Sequence, residues 1–206
     1  MSSPKFLYFD LGMVLVTFSV DRMLDQMAEV SGVSAEAVRD ALFGNGLLKQ
    51  FESGQVSSRE FYESYCQKTG VRPDFNALER AGSEIFSLNL PMLPLVAQLR
   101  EAGYRMGILS NTCELHWQYC RDHYRVVAEG FEVYALSYCI GAVKPEVKIF
   151  HAAAALAGCR PEEIFFVDDL PGHVEGAKAA GFDAIQFTSA ADVADQLRRR
   201  NLKFNY

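Results

Sequence analysis

Nowhere does the chain run to the ~20 consecutive apolar residues that a membrane-spanning helix needs, and this excludes a helical span. It also lacks a basic face. Twenty lysines and arginines stand against 26 acidic residues, a net charge of -6. That balance argues against nucleic acid or anionic membrane as a partner, since both select basic surfaces. The one basic run, Arg198-Arg199-Arg200, reads as a solvated last helical turn favoured by the helix dipole. Cysteines number five, at irregular spacing and without a Cys-x-x-Cys pair, so neither a disulfide framework nor a zinc site is expected. Repeats and low-complexity segments are absent too. Lys5 is followed by only four apolar residues before Asp10, unlike a secretory leader. A cytoplasmic protein with reduced thiols is the expectation.

What the sequence does contain is two short apolar runs that end in carboxylate. Phe6-Leu7-Tyr8-Phe9 leads into Asp10, and Ile164-Phe165-Phe166-Val167 leads into Asp168-Asp169. Continuous apolar runs of this length are typical of central strands in a parallel sheet, whose ligands bind beyond the strand C-termini. The two acidic ends are therefore expected at one site. Carboxylates gathered there need a compensating cation, and hard oxygen ligands around a phosphate-bearing substrate favour magnesium.

Between about Val20 and Ile85 the pattern turns helical. Met23, Met27 and Val30 recur at helical spacing, Ser34 reads as an N-cap, and Ser57 and Ser58 precede Glu60-Phe61-Tyr62. Gly70 breaks this stretch and Asn89-Leu90-Pro91 ends it. Beyond Pro91 helix and strand alternate. The pattern predicts strands over 104–110, 133–137, 164–168 and 184–187. It places a helix opened by Pro145, one from about His173 to Ala180, and a last one from Ala190, with Gly103 as a C-cap. The prediction is an α/β fold with a doubly wound parallel sheet and an inserted helical unit, the core spanning 1–17 and 90–206 and the insert 18–89.

If the strand ends converge, four segments meet there: Asp10 with Gly12, Ser110 with Asn111, Lys144, and Asp168 with Asp169. An aspartate can act as a nucleophile through an acyl phosphate, a serine and an asparagine can hold phosphoryl oxygens, and a lysine can offset developing negative charge. With the order Asp10-Leu11-Gly12-Met13-Val14, Leu109-Ser110-Asn111-Thr112, Gly141-Ala142-Val143-Lys144-Pro145 and Val167-Asp168-Asp169 before Gly176-Ala177, the chain resembles the haloacid dehalogenase superfamily of aspartyl-nucleophile hydrolases. The resemblance implies a helical cap after the first motif and Asp10 as nucleophile. It makes Ser110, Asn111 and Lys144 the phosphate binders, with Lys144 also catalytic, and Asp10, Gly12, Asp168 and Asp169 the magnesium ligands. A Mg2+-dependent phosphatase acting on a small phosphorylated metabolite, such as a sugar phosphate, is the implied function. A monomer or homodimer is expected.

The chain departs from the usual phosphatase pattern at Gly12, where a second aspartate normally serves as general acid. A subgroup resembling α-glucose 1-phosphate phosphatases shares Asp-Leu-Gly and counts as active. The alternatives are that a cap residue or a water replaces the acid, or that the protein is catalytically weakened and binds a phosphorylated ligand or a protein partner. The 2-haloacid dehalogenase branch also lacks the second aspartate, but it needs no metal and carries no acidic pair like Asp168-Asp169. The four histidines show no metal or relay spacing. His116 beside Trp117 reads as helix packing, and Phe43, Phe51, Phe61, Tyr62 and Tyr65 as core of the insert.

Overall fold

A computed structural model describes residues 3–206. Its elements, in chain order, are β1 (Phe6–Phe9), β2 (Val16–Phe18), α1 (Val20–Ser31), α2 (Ala35–Phe43), α3 (Leu47–Glu52), α4 (Ser58–Thr69), α5 (Phe75–Ser83) and β3 (Phe86–Leu88). They continue as α6 (Met92–Glu101), β4 (Met106–Ser110), α7 (Glu114–His123), α8 (Arg125–Glu129), β5 (Val133–Leu136) and α9 (Ser137–Ile140). The chain finishes with α10 (Val147–Ala157), β6 (Ile164–Asp168), α11 (Pro171–Ala179), β7 (Asp183–Gln186) and α12 (Ala190–Arg199). Among the described residues no helix is long and apolar enough to cross a membrane.

Five strands form one parallel sheet in the order β5-β4-β1-β6-β7. Its apolar runs reflect burial on both faces. Along β1 the side chains alternate, with Phe6 and Tyr8 packing among α10 and α11 residues such as Phe150, Ala153 and Ala177. Leu7 and Phe9 face Leu95, Leu99, Val193 and Leu197 from α6 and α12. Each fully buried side chain of this size contributes on the order of 2 kcal/mol. From β1 the chain proceeds to β4 on one side, and from β6 to β7 on the other, so the winding reverses between β1 and β6. A crevice forms at such a reversal, beyond the strand C-termini, where Asp10 and Asp168 stand.

The helices α1 to α5 lie between β2 and β3, which pair with each other as an antiparallel ribbon. Their caps follow the sequence: Ser34 accepts from the Ala37 amide, and Ser57 with Glu60 forms a reciprocal capping box. Phe51, Phe61, Tyr62 and Tyr65 are buried as expected, whereas Phe43 and Val30 are exposed.

Several boundaries differ from the sequence reading. Pro145 does not open a helix; it lies in a turn, and α10 begins two residues later behind Glu146. Residues 104–105 precede β4, Ser137 belongs to α9 rather than β5, and α11 starts at Pro171, two residues before His173. Gly103 follows Ala102, the residue that caps α6, and takes φ +79°. The larger correction concerns Arg200, which is not solvated. It is buried on the Phe165 ring at 4.6 Å, with Nε and Nη2 gripping both oxygens of Asp183 at 2.5 and 2.7 Å. Burial without such a partner would be prohibitive for a guanidinium, and the match of its planar fork to a carboxylate makes it affordable here.

Candidate active site

At the crevice, Asp10 follows β1 and is anchored by its amide, which donates to the Val167 carbonyl at 2.9 Å. Its carboxylate is buried. Oδ1 accepts from the Leu11 amide at 2.7 Å and lies 3.0 Å from Lys144 Nζ. These contacts all fall on Oδ1, and among the described residues Oδ2 takes none. Lys144, itself buried, also donates to Asp168 Oδ2 at 2.6 Å and to the Leu109 carbonyl at 3.0 Å. A single ammonium thus ties together the ends of β1, β4 and β6.

The loop carrying Lys144 is held by Asn111. The Asn111 side chain donates to the Lys144 carbonyl at 3.0 Å and accepts from the Lys144 amide at 2.7 Å. Its polar atoms are therefore committed to the loop rather than turned to a ligand. Ser110 is buried beside it, and its hydroxyl makes only a long 3.4 Å contact to the Asn111 carbonyl. Behind the loop, Gly176 of α11 lets helix and turn meet, since a Cβ there would lie 2.7 Å from Pro145 Cβ and 2.9 Å from its carbonyl oxygen.

Asp168 is fully buried, and its Oδ1 accepts from the Leu170 amide at 2.9 Å. His173 Nδ1 stands 3.1 Å from both of its oxygens. His173 had no readable role in the sequence; the tight turn after β6 brings it back over the strand end. One ligand atom each from Asp10, Asp168 and His173 lies within 4.8 Å of the others. Asp169, expected beside them, is not among the residues whose ligand atoms lie together; it stands at the edge, its main-chain oxygen accepting from Gln186 Nε2 at 3.0 Å.

The electrostatics are one cation short. Burial and the nearby Asp168 charge push the Asp10 carboxyl up, against the pull of Lys144. At Asp168, burial acts upward too but is outweighed by His173 and Lys144, which hold it low. Asp169 is raised by burial and by Asp168. Two like charges at this separation repel by on the order of 3 kcal/mol at an effective permittivity of 20. Carboxylates with one lysine between them, gathered beyond a strand end, make a hard-oxygen donor set that fits a small divalent cation.

Over this floor opens a cleft of about 490 Å³, counting its mouth, lined by Gly12, Phe18, Glu52, Ser110, Thr112 and His116 among others. Glu52, at the end of α3, was not singled out from the sequence. Burial raises its carboxyl to about 6, with His173 and Lys144 opposing. His116 packs as expected, Nε2 donating to the Gly82 carbonyl at 3.0 Å and the ring meeting Phe86 edge-on. It also forms part of the cleft wall, and burial lowers it to about 4, leaving it neutral.

The match to known families places the chain. Residues 15–181 match the haloacid dehalogenase-like hydrolase family. The chain belongs to it. Among relatives of this hydrolase, a D-ribitol-5-phosphate phosphatase of Bacteroides thetaiotaomicron is 26% identical over 200 residues, covering 94% of this chain and 96% of the relative. A phosphatase of Mycobacterium tuberculosis is 26% identical, with 93% and 90% covered. The crystal structure of a family enzyme from Bacteroides thetaiotaomicron, in complex with magnesium and inorganic phosphate, superposes with a TM-score of 0.80 at 27% identity, over 90% of this chain and 95% of that one.

Proposed function

We propose that this hydrolase is a magnesium-dependent phosphatase of small phosphorylated metabolites, working through an aspartyl-phosphate on Asp10. The observation that carries the reading is the buried Asp10-Lys144-Asp168 cluster with Asp169 at its edge, three carboxylates against one ammonium, which is two positive charges short of balance, the charge of one divalent cation. The relatives support it, because two are named phosphatases and a family enzyme was crystallised in complex with magnesium and inorganic phosphate. Phosphorylated polyols and sugars are the first substrates to screen.

In this reading Asp10, Asp168, Asp169 and the Gly12 carbonyl hold the magnesium. When bound, it offsets repulsion between the carboxylates and the phosphate dianion and polarises the phosphoryl group. Lys144 and the Leu11 amide fix Oδ1, so Oδ2 attacks phosphorus. Ser110 steadies the phosphoryl oxygens, Lys144, committed to Asp10, Asp168 and the Leu109 carbonyl, offsets negative charge from behind the nucleophile, and Asn111 serves by clamping the Lys144 loop. Water then cleaves the acyl phosphate and restores Asp10. The insert 18–89 acts as a cap over the leaving group, excluding water from the first step. A dehalogenase would gain nothing from the paired Asp168 and Asp169.

Hydrolysis of p-nitrophenyl phosphate tests the reading, since this leaving group needs little proton assistance. Turnover with magnesium that disappears with chelator and in Asp10→Asn is expected. Turnover of the wild type no higher than that of Asp10→Asn would overturn it.

A further inference from the structure

Hydrolysis of an alkyl phosphate needs a proton for the departing alkoxide, and Gly12 has no side chain to give one. The structure also shows why an acid is not simply missing there. A Cβ built on Gly12 would come 2.9 Å from Phe18 Cε1, so the phenyl ring occupies the direction a side chain would take. A donor on another wall of the cleft would need no such displacement of Phe18.

Two titratable side chains outside the acidic floor line that cleft, Glu52 and His116. His116 commits Nε2–H to the Gly82 carbonyl and is neutral. Glu52 differs. Among the described residues its carboxylate makes no hydrogen bond and no ion pair, although it is half-buried, and its backbone is fastened to the core rather than left to the insert. Ser137, fully buried in α9, donates its hydroxyl to the Glu52 carbonyl and accepts from the Thr112 amide at 2.9 Å. One hydroxyl thus sets the end of α3 against the loop that follows Ser110. Two residues on, Gly54 takes φ +69° and lies so flat on α9 that a Cβ would fall 2.2 Å from the Tyr138 carbonyl oxygen. The segment is placed to within what a glycine and a buried serine allow, while its half-buried carboxylate takes no protein partner among the described residues and lines the cleft.

On the phosphatase reading above, we propose that Glu52 is the general acid and base of the reaction, replacing the side chain absent at position 12. As Oδ2 of Asp10 bonds to phosphorus and the bond from phosphorus to the leaving oxygen breaks, the electron pair stays on that oxygen, which takes the Glu52 proton. The Glu52 carboxylate then takes a proton from the water that attacks the aspartyl-phosphate. Inorganic phosphate leaves, Asp10 regains its carboxylate, and Glu52 regains its proton. Burial raises the Glu52 carboxyl to about 6, near enough to neutrality for it both to give and to take a proton; Lys144 and His173, which face it, temper the shift, and Cys113 and His116 beside it are uncharged.

The test is Glu52→Gln in the full-length, magnesium-loaded protein, assayed by kcat/KM on aryl phosphates of graded leaving-group acidity and on an alkyl phosphate such as glycerol phosphate. Because kcat/KM reports the steps through cleavage of the substrate, the second half of the cycle does not obscure it. The expected result is a loss of about 10²–10³-fold on the alkyl phosphate, shrinking to less than tenfold on p-nitrophenyl phosphate. An equal loss on all substrates, or none, would overturn the role. The substitution keeps size and leaves the Ser137 bond to the main chain, and an unchanged thermal midpoint verifies that the variant is folded. Asp10→Asn, run in parallel, separates the two readings, since p-nitrophenyl phosphate turnover that survives in it would sink the phosphatase reading and not merely the role of Glu52.

Discussion

Lys144 is asked to neutralise more charge than it carries, and that imbalance generates the sharpest predictions at the level of single residues. Removing one member of a buried ion pair strands the other, at about 3 kcal/mol or more. Lys144→Met is therefore expected to lose about that much unfolding free energy in chelator, read by urea denaturation, besides its activity. Asp10 gives a pH dependence with a definite sign. Its carboxyl is lifted from 3.8 to about 7 in the folded, metal-free protein. The native state then holds this proton more tightly than the unfolded chain, so stability declines as pH rises through that window and the full penalty stands above it. A divalent cation relieves the penalty, and the rise in thermal midpoint on adding magnesium should be larger at about pH 8 than at about pH 5. An equal rise at both would contradict it. Gly12→Asp should leave kcat/KM on an alkyl phosphate unchanged or lower, because Phe18 must move and Glu52 already supplies the proton; a gain above about tenfold would show that position 12 was the deficiency. Of the residues readable in the sequence, Asp10 and Asp168 directly follow or end predicted strands, where position follows from topology, while Lys144 lies in the loop before α10 and was readable from its place in the motif order. Glu52, His173 and Arg200 were not, since each owes its place to a turn angle or to a partner far along the chain, Asp183 in the case of Arg200.

Elements were legible where period and caps agreed. The five sheet strands follow from continuous apolar runs, and α2 and α4 from Ser34 and Ser57. The ribbon of β2 and β3 escaped because three residues on either side carry too little pattern, and their pairing joins Val16 to Leu88 and Phe18 to Phe86 across the whole insert. Pro145 misled because proline suits a first helical turn and a loop equally well, and only the approach of α11 distinguishes them. That approach can be tested. Gly176→Val would drive a branched side chain into Pro145, and overpacking of this kind costs roughly 1–3 kcal/mol. Because the strained turn also carries Lys144, the variant should lose activity more steeply than its fall in denaturation midpoint accounts for.

For the molecule as a whole, the reversal of winding between β1 and β6 brings distant acids together without any specialised loop. The sheet supplies the location and the insert supplies the roof. If the insert is a cap, magnesium with a phosphate mimic such as beryllofluoride should slow hydrogen exchange at the amides of α3 and the turn through Gly54, with little change in the sheet core. Uniform slowing would favour general stabilisation over cap closure.

The ribbon of β2 and β3 does more than frame the roof. The helical insert leaves the ribbon by β2 and returns by β3, where Val16 and Leu88 are paired neighbours, reinforced by Asn89, whose amide and side chain reach the Leu15 and Val14 carbonyls at 3.0 and 2.8 Å. A segment whose ends already touch adds no further span for the rest of the fold to bridge. The stretch between them can therefore change in length while the strand ends that carry Asp10 and Asp168 stay where they are, so long as the segment through Glu52 is kept, and a different roof can be grafted at the same two residues.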